Sequence, residues 1–231
     1  MLDQYSKKFQ TTQWSLIREI ESDSDAAKAA LETLCRHYWK PVYHFTWNRV
    51  NDPERAKDIT QSFFLKILED KSFLKANPEA GRFRTFLLAS IKNYIIDVER
   101  SNKALRRGGQ YDFIQIDESE ELSSSDDLDR HFDRVWAKQI LKQVFEKMEN
   151  EFTQSNKRDR YSALRPYLLN SPPAGEYGNL AERLSMTESG VRSVLQRIRE
   201  RFRTLFREEI HETLRDGREL KSEINYLISV L

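Results

Sequence analysis

A single cysteine, Cys35, rules out an intramolecular disulfide and fits a reducing cytoplasm. It lies inside a helical pattern, where a buried, inert thiol is expected. Only seven glycines and six prolines interrupt 231 residues, a composition that suits a largely helical, soluble protein. No apolar run approaches the length of a membrane span, and the opening MLDQYSKKFQ lacks the apolar centre of a signal peptide. The expected location is therefore cytoplasmic. Paired cysteines and HExxH are missing, and the four histidines, His37, His44, His131 and His211, are scattered, so no zinc site is expected. Neither a P-loop, nor GxGxxG, nor a nucleophile elbow occurs. These absences argue against an enzyme and against any metal or cofactor. Asp129, His131 and Asp133 cluster in sequence, but on a helix they diverge, and they read as solvated charge.

Charge is abundant and nearly balanced: charged residues make up 32% of the chain, with a net charge of +1. The average conceals segregation. Acidic residues crowd Asp117 to Asp129, while basic ones crowd 192–207 and the group Arg100, Lys103, Arg106 and Arg107. Such blocks mark interaction surfaces more than the sum does.

The most informative stretch is TESGVRSVLQRIRERFRTLFR, from Thr187 to Arg207. Val191, Val194, Leu195, Ile198, Phe202, Leu205 and Phe206 recur at helical spacing and form one apolar stripe. The remaining faces carry Arg192, Arg197, Arg199, Arg201, Arg203 and Arg207, with Ser193 and Gln196 near the front. Thr187 suits an N-cap, and Glu188 suits the positive end of the helix dipole. Just upstream, NLAERLS reads as a short helix capped by Asn179, with Leu180 and Leu184 turned inward. A short helix, a tight turn at 185–187 and an arginine-faced helix compose a helix-turn-helix, a nucleic-acid-binding arrangement.

The rest of the chain is helical too. FQTTQWSLIREIES starts a helix at Thr12, anchored by Trp14 and Ile17. A second helix begins near 24–25 and continues to Val50; Pro41 is expected to kink or split it. Asn51–Asp52–Pro53–Glu54 is a strong start signal for a helix reaching Glu69. DKSFLKANPEAG reads as a loop, and a long helix covers Phe83 to Arg107, ending at Gly108–Gly109. Residues 110–128 show no periodicity and read as an acidic linker. Further helices are expected over 129–152 and 157–169, the latter bent or ended by Pro166. After Asp216–Gly217 a last helix places Leu220, Ile224, Leu227, Ile228 and Leu231 on one stripe. No segment reads as a strand. The expectation is an all-α fold of two helical domains, with boundaries at 1–109, 110–128 (linker), 129–215 and 216–231 (C-terminal extension).

Two surfaces in the first domain go beyond what a plain bundle needs. On the helix after Gly81 runs the polar row Lys92, Asn93, Asp97 and Arg100, preceded by Phe83, Arg84 and Phe86. Asparagine reads base edges, arginine holds phosphates and aromatic rings stack on unpaired bases; a solvated helix face is the plain alternative. On the helix over 53–69, Asp58 and Gln61 lie beside Phe64 and Leu65, a mixture found at protein interfaces and equally on ordinary surfaces.

Taken together, these motifs resemble the extracytoplasmic-function sigma factors of bacterial RNA polymerase, in the sigma-seventy family, especially a subgroup opening with a motif like FQTTQWSLI. The resemblance spans nearly the whole chain. AKDITQSFFLKIL is similar to the segment that docks on the polymerase clamp helices, which assigns Asp58, Gln61, Phe64 and Leu65 to polymerase binding. GRFRTFLLASIKNYIIDVER resembles the segment that melts and reads the minus-ten element, with Asn93, Asp97 and Arg100 in the family's pattern. That assignment also takes in Phe83, Arg84, Phe86 and Lys92. YGNLAERLSMTESGVRSVLQRIRERF resembles the helix-turn-helix that reads the minus-thirty-five element, through Thr187, Glu188, Ser189, Arg192, Ser193, Gln196, Arg197 and Arg199. The family usually places glycine after the first helix's last leucine; here Ser185 stands there, at a cost of roughly 1 kcal/mol in a left-handed conformation.

The resemblance implies a non-enzymatic protein that lends promoter specificity to core RNA polymerase. Its implied partners are that polymerase, promoter DNA in duplex and melted form, and an anti-sigma factor or other regulator, with no membrane. An extruded base would enter a pocket between the 70–82 loop and the next helix. The linker would thread the polymerase's positive channels as a nucleic-acid mimic, or serve only as a spacer. In the free chain it could also screen the basic helix. The last helix would pack on the helix-turn-helix domain or dock a regulator. The rival reading is a helix-turn-helix regulator without sigma activity, its first domain a sensor or dimerisation module.

Overall fold

A computed structural model describes residues 25–69, 82–107, 125–214 and 219–231. The expected helix at Thr12, the 70–82 pocket apart from Arg82, most of the acidic linker and Asp216–Gly217 lie outside those residues. Among the described residues every regular element is helical. They are α1 (Asp25–Val50), α2 (Pro53–Glu69), α3 (Phe83–Arg107), α4 (Ser125–Gln154), α5 (Arg158–Leu164), a 3₁₀ turn (Arg165–Tyr167), α6 (Glu176–Leu184), α7 (Glu188–Glu212) and α8 (Leu220–Val230).

Local chemistry explains most boundaries. Asn51 turns the chain in the left-handed region at φ 52°, a conformation asparagine tolerates well. The Asp52 carboxylate then accepts from the Glu54 and Arg55 amides at 3.0 Å, and Pro53 opens α2 where no amide donor is needed. Pro41 does not split α1, which runs unbroken across it; the buried Tyr38, Val42 and Phe45 hold both halves to one core. Pro166 does end α5, which gives way to the 3₁₀ turn containing it. α4 begins at Ser125, so the last residues of the expected linker are helical. α6 starts three residues before Asn179, after Gly175 at φ 83°. Asn179 is therefore inside the helix, where its amide donates to Glu176 instead of capping.

The chain forms two compact units. The first takes the described residues within Met1–Gln139 and His211–Leu231; the second is Ile140–Ile210. Residues 129–139 and α8 thus belong with the first unit, whereas the sequence reading grouped 129–139 with the second domain and, for the last helix, set packing on that domain beside docking a regulator. In the first unit, Tyr38, Phe83 and Trp136 form an aromatic centre: Tyr38 meets the Phe83 edge at 5.1 Å and stacks on Trp136 at 6.4 Å. Ala56, Phe63, Ile91 and Phe132 are buried in the same unit. The second unit closes over Val144, Met148, Tyr161, Leu164, Leu180, Val191 and Leu195, with Phe152 stacked on Tyr161 at 4.9 Å.

Candidate nucleic-acid interface

α6 and α7 are joined through Ser185, Met186 and Thr187. Ser185 sits at φ 50°, ψ 51°, the left-handed conformation that glycine adopts without penalty. Its amide donates to Glu182 O at 3.2 Å and the Met186 amide to Ala181 O at 2.9 Å, the paired bonds of a Schellman turn. Thr187 caps α7, accepting from the Gly190 amide at 3.1 Å. The apolar stripe of α7 is buried from Val191 to Phe206 as its spacing implied.

The polar face of α7 divides into held and presented side chains. Arg199 donates to Tyr167 O and Asn170 O at 2.7 and 2.8 Å, so it ties down the segment before α6 rather than facing outward. Arg201 pairs with Glu151; its hydrogen bond there holds its pKa above the ordinary value against partial burial. Thr187, Glu188, Ser189, Arg192, Ser193, Gln196 and Arg197 are all exposed. The Arg192 guanidinium lies 3.7 Å from the Tyr177 ring centroid and 3.6 Å from Glu188, which narrows its rotamers. Gln196 bonds Glu200 at 3.0 Å on the helix surface.

On α3, Asn93, Asp97 and Arg100 are exposed, and their spacing of four and three residues sets them on one face. Lys92 beside them is bound to Asp129 of α4 at 2.6 Å. Phe83 is 1% and Arg84 5% exposed, so neither offers its side chain to a ligand as the sequence reading expected. Phe86 is half-buried, 6.2 Å from Phe83.

On α2, Asp58, Gln61 and Leu65 are exposed, Leu65 at 48%. Phe64 turns inward and stacks on Trp39 at 5.6 Å, so it supports that face from beneath.

The residues that the sequence reading missed surround Arg84. Its guanidinium binds Glu223 of α8 at 2.8 Å and also Asp133 of α4, with the Tyr226 ring at 4.8 Å and the Trp136 ring at 5.5 Å. Tyr226 donates its hydroxyl to Asp133. Arg82 reaches Glu223 at 2.9 Å and Glu219 at 3.3 Å. Burial works against the Arg84 charge, but its hydrogen bond to Glu223 and the two carboxylate charges outweigh that and push its pKa further up. Asp133 is therefore no solvated charge: it is 6% exposed and fully engaged. A signal existed for it, since 133, 136, 137 and 140 share one helix face with three buried apolar residues. Among the described residues, no group of three His, Cys, Asp or Glu side chains could hold a metal ion, and no helix is long and apolar enough to cross a membrane.

The exposed rows of α2 and α3 fall within one matched segment. Residues 34–105 match the family model Sigma-70 region 2. The chain carries a sigma-70 region-2-like domain. The match runs from the middle of α1 to near the end of α3. No curated protein and no solved structure matches the chain.

Proposed function

We propose that this protein is a sigma factor of the extracytoplasmic-function type, directing promoter-specific initiation by bacterial core RNA polymerase. The observation that carries this reading is the coincidence of the region-2 match with the exposed Asn93–Asp97–Arg100 row. In this reading the α2 surface of Asp58, Gln61 and Leu65, backed by Phe64, docks on polymerase. The α3 row takes the melted minus-ten strand: Asn93 offers a donor and an acceptor to a base edge, and Arg100 offers a phosphate clamp. Phe86, half-buried on the same helix, offers a ring on which a base could stack.

Residues 129–215 would supply the second DNA contact, with α6 and α7 acting as a helix-turn-helix on duplex minus-thirty-five DNA. Arg192, Ser193, Gln196 and Arg197 line its presented face. Arg192, stacked on Tyr177, is pre-positioned and loses less freedom on binding than an unsupported arginine. Each phosphate neutralised along α7 would steepen the salt dependence by about 0.9 in log–log slope. The acidic residues 117–129 would pass through positively charged polymerase channels.

The deciding experiment is transcription with purified core polymerase on a library of promoter fragments. The expected result is initiation at defined start sites with strand opening, reduced more than tenfold by N93A/R100A without loss of polymerase binding, about the effect of losing one bidentate base contact and one phosphate contact. A chain that binds duplex DNA but never associates with core polymerase would overturn the reading and leave a DNA-binding regulator.

A further inference from the structure

We infer that Arg82 and Arg84 form an anion-binding surface for the phosphates of single-stranded DNA, and that α8 fills it in the free chain with the carboxylates of Glu219 and Glu223. This rests on the proposed function above, because it extends the α3 surface toward its N-terminal end.

The side chains leading into α3 are occupied, residue by residue, by carboxylates from elsewhere in the first unit. Arg82 is held by Glu219 and Glu223, Arg84 by Glu223 and Asp133, and Lys92 by Asp129. A carboxylate and a phosphate diester present the same feature to a guanidinium, two anionic oxygens able to accept paired N–H donors. The carboxylates of α8 therefore stand where phosphates would.

α8 is built to be displaceable. It is 11 residues long, too short to hold a helix without tertiary support. Its buried residues are Glu223, Leu227 and Val230 alone, while Ile228 is 60% and Leu231 45% exposed. Its attachment thus rests on two aliphatic side chains, the ion pairs, Tyr226 with its hydroxyl on Asp133 and its ring on Arg84, and the bond from Arg134 to Val230 O. The charge balance makes release conditional. Arg82 and Arg84 face three carboxylates, Asp133, Glu219 and Glu223, and removing α8 leaves Arg84 with Asp133 and Arg82 without either of its carboxylates. A poorly compensated buried charge is strongly unfavourable. α8 therefore leaves when another anion arrives, and the exchange is gated by the DNA strand.

The test uses the full chain and a fluorescein-labelled single-stranded oligothymidylate at low salt, read by anisotropy. E219Q/E223Q is expected to bind at least about fivefold more tightly, the low end of measured coupling between sites. Its log–log salt slope should be steeper by about 0.7 for each phosphate newly engaged. Adding R82Q/R84M to that variant should abolish the gain. In the unmodified chain, saturating oligonucleotide should accelerate amide exchange across Leu220–Val230. A folded E219Q/E223Q with unchanged affinity and slope, or α8 amides indifferent to the oligonucleotide, overturns the inference; so does an oligonucleotide that binds neither chain. Should E219Q/E223Q fail to fold, the exchange measurement decides alone. Transcription with core polymerase separates the two readings: promoter-specific initiation without α8 displacement sinks only the clasp, and displacement without initiation sinks only the sigma role.

Discussion

Ser185 is the residue at which two demands meet. The chain must reverse between α6 and α7, and the Schellman turn that does so needs a left-handed residue; serine fills it at φ 50°. A side chain there costs roughly 1 kcal/mol that glycine does not incur. Ser185→Gly is expected to stabilise the second unit by at most about 0.6 kcal/mol once the about 0.4–1 kcal/mol loss of chain stiffness is subtracted, read as a slightly higher urea midpoint with an unchanged slope. A clearly destabilising result would mean that the serine hydroxyl has a compensating role. Arg199 teaches the opposite lesson. It has the composition of a DNA contact and sits on the arginine face, yet two backbone carbonyls claim it. Spacing identifies a face; only packing identifies which members of that face are already engaged.

At the scale of elements, α8 shows how one charged pair rotates a helix. Its apolar pattern suggested a stripe of Leu220, Ile224, Leu227, Ile228 and Leu231, but the buried set is Glu223, Leu227 and Val230. The stripe is turned because Arg82 and Arg84 draw Glu223 inward, which forces Ile228 and Leu231 toward solvent. Between α1 and α4, His44 and His131 face each other at 6.5 Å between ring centroids. Burial lowers both pKa values; Lys40 adds to the effect for His44, and His44, Arg134 and Lys138 add to it for His131. Each histidine thus binds its proton more readily in the unfolded chain. The stability linked to the neutral pair is fully present above the ordinary value of 6.5 and is lost as pH falls from there through the depressed folded values. Urea midpoints should fall between about pH 7 and pH 5.5, the range around and below the free imidazole value, and His131→Gln should flatten that fall. A midpoint independent of pH in the unmodified chain would refute the pairing.

At the scale of the molecule, the Arg84 cluster joins α3, α4 and α8 within the first unit although Arg84 and Glu223 lie 139 positions apart in sequence. Removing its central cation leaves Asp133 buried without a cation and Glu223 with Arg82 alone. Arg84→Met is expected to destabilise the first unit by about 3–5 kcal/mol, measurable as an early thermal transition. A loss below about 1 kcal/mol, the range of exposed ion pairs, would show that the cluster is wetter than its burial indicates. The same cluster decides which part of the α3 surface is open. Asn93, Asp97 and Arg100 lie beyond its reach and remain exposed, while the end of α3 nearest α8 is covered.

Periodicity and capping chemistry were sufficient for the all-helical fold, for α2 and α3 end to end, for the Thr187 cap and for the buried stripe of α7. Each of these is a local preference, set by residues within a few positions of one another. The Asn93–Asp97–Arg100 row was legible for the same reason, since a helix places those positions on one face whatever surrounds it. Tertiary structure alone decided that Phe64 turns inward, that Arg84, Lys92 and Arg199 are already bound, and that α8 joins the first unit. Those outcomes depend on which distant carboxylate or carbonyl arrives beside a given cation. A charge reads the same in sequence whether it meets water or a buried partner, and only the fold brings that partner within reach.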